Sequence, residues 1–106
     1  MTLSLRGDAL AANMGAVTWA EVADFAALVA DDLGCEWAWT TAGSIYIAPV
    51  MHIDRSLIGQ YPWQAIECVV HEATHHELHP ETGHGASFFR AYAGLLSRFA
   101  AREVPA

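Results

Sequence analysis

Apolar positions recur with a helical period in three stretches of the chain, and a strand-like composition fills the gap between the first two. The first helical pattern follows Thr18-Trp19-Ala20-Glu21, a capping box in which the Thr18 hydroxyl accepts from the Glu21 N–H and the Glu21 side chain reaches back. Val22, Phe25, Ala26, Val29 and Leu33 then fall on one face, with Asp24, Asp31 and Asp32 largely off it. Gly34 is a natural stop, so the pattern predicts a helix over about 19–33. Cys35 to Thr41 and Ser44 to Val50 are rich in Trp, Thr, Ile and Tyr and read as two strands of a small antiparallel hairpin, with Ala42-Gly43 as the turn. Pro49 cannot donate to a ladder, which ends the second strand or puts it on an edge. Met51 to Tyr61 reads as a connection. Pro62 suits the first position of a helix that runs from Trp63 to about Leu78 and is ended by Pro80. After a glycine-containing loop, His79 to Gly85, a last helix over roughly 86–103 carries Phe88, Tyr92, Leu95, Leu96 and Phe99 on one face. Residues 1–17 are weakly patterned and suit either a short helix over Asp8 to Asn13 or a mobile or docked arm. The expected fold class is α+β.

Composition narrows the setting. A chain of 106 residues, 54% hydrophobic and 16% charged, suits one globular domain with a real core. No apolar run approaches the ~20 residues of a membrane-spanning helix. Arg6 and Asp8 interrupt the N-terminal stretch, so no signal peptide is read and the expected location is the cytoplasm, with no membrane partner. The net charge is −7, and all five bases are Arg. Arg90, Arg98 and Arg102 could line one helix side, though a solvated face is the plainer reading, and the acidic balance argues against a nucleic-acid partner. Arg without Lys, with abundant Ala, fits a GC-rich genome of a bacterium or its phage. Cys35 and Cys68 are expected as free thiols, Cys68 within a buried helix. Asp54 and Arg55 read as an exposed pair. Trp19, Trp37, Trp39 and Trp63 read as core or cleft walls.

The candidate chemistry lies in His71-Glu72-Ala73-Thr74-His75, an H-E-x-x-H motif on a predicted core helix. Chance produces this spacing on the order of once in several hundred chains of this size, given average usage. Residues four apart share a helix face with about 5–6 Å between Cβ atoms, so two imidazoles can converge on one ion. Glu72 is then placed beside a water on that ion rather than as a ligand. A catalytic zinc takes three protein ligands and keeps one open position. Four candidates follow for the third. His76 points about 100° from His75 and reads as exposed. His79 continues the face but precedes Pro80. Glu81 sits at the third-ligand spacing of metzincins, where that family has His. His84 is flanked by Gly83 and Gly85, which permit a tight reversal, although an exposed loop histidine is the plainer alternative.

Gly83-His84-Gly85-Ala86-Ser87-Phe88, following His71-Glu72-x-x-His75, resembles the G-H-G-x-x-F segment after H-E-x-x-H in SprT-like (Spartan-type) zinc metallopeptidases. The order of helix, hairpin, active-site helix and closing helix is similar to that of the compact minigluzincins. The resemblance implies a zincin-like domain, Zn²⁺ held by His71, His75 and His84, Glu72 as general base, and a protein or peptide substrate cleaved by an endopeptidase mechanism. It is close over about 20 residues, and no strongly basic surface accompanies it. Tyr46, Tyr61, Tyr92 and His79 are candidate donors to the oxyanion. The strand around Ile45 to Ala48 offers an edge to an extended substrate. Two other readings stay open: a zinc module that only closes the fold, with His79 or Glu81 as a fourth ligand, and a zinc hydrolase of a non-protein substrate.

Overall fold

The structure, a computed structural model, describes residues 2–3, 17–56, 62–99 and 102–103. Its elements are β1 (Thr2–Leu3), α1 (Trp19–Leu33), β2 (Glu36–Thr40), β3 (Ile45–Ile47), β4 (Val50–Asp54), α2 (Pro62–Leu78), α3 (Ala86–Phe99) and β5 (Arg102–Glu103). The class is α+β, with three helices and a small mixed sheet among the described residues. None of these helices is long and apolar enough to cross a membrane.

Both ends of α1 follow from its sequence. Thr18 Oγ1 accepts the Glu21 N–H at 3.2 Å, and Glu21 Oε1 accepts the Thr18 N–H at 3.1 Å, which closes the capping box. Gly34 takes the left-handed conformation, φ 72° and ψ 35°, and the Cys35 N–H reaches back to the Ala30 carbonyl at 2.9 Å. Val22, Phe25, Ala26 and Val29 are fully buried, as the apolar stripe predicts.

The sheet differs from the expected hairpin. Its order is β2-β4-β3, so the two strands flanking Ala42-Gly43 do not pair with each other. The stretch expected to be a connection supplies the central strand, β4, which pairs parallel with β2 (Trp37↔Met51, Trp39↔Ile53) and antiparallel with β3 (Tyr46↔Met51). The physical reason is burial. Met51 and Ile53 are both fully buried, and a strand that carries two such residues gains most at the centre of the sheet. Paired residues share a face, so Trp37, Trp39, Tyr46, Met51 and Ile53 turn toward the helices. Ile45 and Ile47 point the other way and remain 52% and 58% exposed.

Asp54 is not half of an exposed ion pair. It is 1% exposed, and its carboxylate accepts from the Gly43 N–H at 2.5 Å and from the Ser56 N–H at 2.6 Å, which fastens the β2–β3 turn to the end of β4. Arg55 instead lies over Trp19 and Trp39, 5.5 and 5.1 Å from their ring centroids. The last helix ends at Phe99 rather than 103, because Arg102–Glu103 pairs antiparallel with Thr2–Leu3. The expected row of three arginines is thereby broken, and Arg98 is paired with Asp32 at 3.1 Å. Most of the expected N-terminal helix or arm, together with Tyr61 and the Trp63 side chain, lies outside the described residues.

The core forms around α2, which packs against α1, α3, β3 and β4. Ala65, Ile66, Val69, Val70 and Ala73 are fully buried, as is Thr74, whose hydroxyl donates to the Val70 carbonyl at 2.8 Å. The left-handed cap at Gly34 is testable. A Cβ there would meet nothing within 4 Å, so only backbone strain opposes substitution. Gly34→Ala is expected to lower stability by about 1 kcal/mol in urea unfolding, with Gly34→Asn losing less.

Candidate metal centre

His71 and His75 stand one turn apart on the side of α2 turned away from Ile66 and Val70, with ring centroids 5.0 Å apart. The chain leaves α2 at Leu78, crosses Pro80 to Gly83, and returns His84 to the same point. His84 Nε2 lies 3.0 Å from His75 Nε2 and 3.3 Å from His71 Nε2. Two nitrogens each about 2.0–2.1 Å from one ion at a tetrahedral angle are about 3.3–3.4 Å apart, so the three donors fit a shared cation. Each imidazole nitrogen carries one proton or one lone pair. Three facing one another cannot all be satisfied by mutual hydrogen bonds, whereas a cation meets three lone pairs at once. Among the described residues these three form the one group of His, Cys, Asp or Glu whose ligand atoms gather this closely, all within 4.8 Å.

The environment favours the neutral, ligating form. Burial pushes the His71 and His75 pKa values down, and the neighbouring histidines push them the same way. Phe88, buried in the first turn of α3, backs the triad. Its ring centroid is 4.9 Å from His71, 5.0 Å from His75 and 4.8 Å from His84. The bend that brings His84 back does not use glycine as expected. Neither Gly83 nor Gly85 has a left-handed φ, and a Cβ at either would meet open space. The Phe89 N–H donates to the Gly85 carbonyl at 3.1 Å, so α3 starts where the loop ends and Phe88 holds the imidazoles in place.

Glu72 follows His71 and is 5% exposed. Burial pushes its carboxyl up to about 7, while the nearby Tyr46 backbone N–H pulls the other way. The Tyr46 side chain has a separate partner. Its hydroxyl is 2.8 Å from His76 Nδ1, and His76 Nε2 is 3.1 Å from the Leu33 carbonyl. A carbonyl only accepts, so Nε2 carries a proton, and in the tautomer with that proton alone Nδ1 accepts from the Tyr46 hydroxyl. His76 was expected to be exposed; it is half-buried and ties β3 to the end of α1. Engaged in this way, the Tyr46 hydroxyl is not free as an oxyanion donor.

Two cavities meet at His71, Glu72 and Ser44. One, of about 480 Å³, extends along β3 from Ile45 to Ala48 and past His75 to His79, Glu81 and His84. The other, of about 400 Å³, extends toward the start of α2 and is lined by Gln64, Glu67, Cys68 and Tyr92. His79 and Glu81 therefore border the cleft but lie outside the histidine group. His79 and Tyr92 remain at its rim as candidate donors, one in each cavity. Cys35 and Cys68 are both free, as expected, and burial raises both thiol pKa values. Sequence reasoning missed three contributors: Phe88 as the backing of the triad, the Tyr46 N–H and the His76 anchor. Only Phe88 had a signal, its place in the G-H-G-x-x-F segment.

Two outcomes are expected. The protein should bind one divalent cation, His84→Ala lowering the affinity at least 100-fold and Phe88→Ala by about 10–100-fold in titration with a chromophoric competitor. In chelator-treated protein, Glu72 makes stability fall as pH rises from the ordinary carboxyl value of 4.5 to about 7, because the folded state keeps a proton that the unfolded chain releases. The Tm difference between Glu72→Gln and wild type should therefore be larger, in favour of the variant, at pH 8 than at pH 5. No family model, curated protein or solved structure matches this chain.

Proposed function

We propose that the chain is a zinc-dependent endopeptidase that holds the ion through His71, His75 and His84 and uses Glu72 as general base. The observation that carries the reading is the convergence of the three Nε2 atoms, with His84 3.0 and 3.3 Å from the other two, beside a buried carboxyl. The resemblance of residues 71–88 to SprT-like peptidases and minigluzincins points the same way. A zinc-only structural module would call for a fourth protein ligand. His79 and Glu81, the candidates for that place, lie outside the donor group.

When bound, zinc supplies Lewis acidity toward water and the scissile carbonyl. Glu72 accepts the proton of the attacking water and passes it to the departing amine. Burial raises the Glu72 carboxyl in the metal-free protein, and the charge of a bound cation favours its ionised, basic form. The outer edge of β3 runs along the larger cavity, and an extended peptide can pair with it there. Ile45, exposed in that wall, offers the peptide an apolar contact.

Glu72→Gln is expected to lower kcat on a fluorogenic peptide library by about 10²–10⁴-fold while the zinc content stays at one per chain by elemental analysis. Undiminished turnover in that variant, or no turnover by the zinc-loaded wild type across the library, would refute the proposal.

A further inference from the structure

The two cavities flanking Glu72 differ in chemistry, and the smaller one carries a preference. Toward the C-terminal end of α2, the larger cavity has an apolar wall of Ile45, Ala48 and Pro80. Toward the N-terminal end, the smaller cavity is lined by Gln64, Glu67, Cys68 and Tyr92. Glu67 is exposed at its mouth and has no cationic partner among the described residues. No arginine lines either cavity, and the chain contains no lysine. Tyr92 stands close enough to Glu67 for that charge, after burial, to push the phenol pKa up. A carboxylate beside an aromatic ring and a side-chain amide is a receptor for an ammonium or guanidinium group. The carboxylate makes a charge-assisted hydrogen bond, the ring face attracts the cation, and the amide oxygen accepts a further N–H. The net charge of −7 draws cationic chains toward the cleft from a distance.

Resting on the peptidase reading above, we infer that the cavity formed by Gln64, Glu67 and Tyr92 is a specificity subsite for a lysine or arginine side chain close to the scissile bond. Glu67 is then the specificity-determining residue, and it acts on substrate choice without touching the reacting atoms.

The test uses zinc-loaded Glu72→Gln protein, in which turnover is expected to be slowed at least about 100-fold, and fluorescent peptides that differ at one position at a time between Lys, Gln and Glu. At one position Lys should bind about tenfold more tightly than Gln, and Glu more weakly than either. Adding Glu67→Gln should abolish that difference, and Glu67→Lys should invert it, with zinc affinity unchanged in both. Equal affinity for the three forms at every position, no measurable binding, or a preference that survives Glu67→Gln would each overturn the subsite. Turnover of the same peptides by the wild type is read separately. Charge-selective binding without turnover keeps the subsite and sinks the peptidase reading, and turnover without charge selectivity does the reverse.

Discussion

Everything in the candidate site depends on how α2 is covered. Ile66, Val69, Val70 and Ala73 need burial, and α1, α3 and the sheet supply it from different directions. What remains uncovered is one strip of the helix, and His71 and His75 lie on it. A helix held by its neighbours cannot roll, so the two imidazoles keep a common direction. Phe88 then presses on both and on His84, and the donor set is held by packing rather than by loop geometry.

The helices were legible because their signals are local. Thr18 and Glu21 cap α1, Gly34 ends it, and Pro62 opens α2, each through contacts within a few residues. The sheet was not. Whether β2 pairs with β3 or with β4 is decided by which strand must be buried, and the alternation of Met51 and Ile53 is the sign of it within a stretch that otherwise reads as a connection. Asp54 itself looked solvated because nothing nearby in sequence announces Gly43, its partner across the turn. The H-E-x-x-H pair was legible from spacing alone. The structure brings His84 beside the other two imidazoles, but not through a left-handed glycine at Gly83 or Gly85.

Tyr46 shows why function is harder to read than fold. Its hydroxyl meets His76, and its backbone N–H meets Glu72. One residue of a three-residue strand therefore both anchors the strand to α2 and modulates the acidity of the candidate base. The backbone contact is invisible to any motif, because every residue type except proline carries that N–H. His76 gives its second nitrogen to the Leu33 carbonyl, which links the strand to the end of α1 as well.

The three nitrogen donors all come from residues 71 to 84, a continuous piece of chain, whereas the setting of Glu72 requires β3 from a distant part of the sequence. Capture of an ion and tuning of the carboxyl thus have different topological demands. The first needs closure of a short segment, whose entropic cost is small, and the packing of Phe88 just beyond it. The second waits for long-range strand assembly. A shift of β3 alone would therefore change the surroundings of the Glu72 carboxyl more directly than the mutual approach of the three imidazoles.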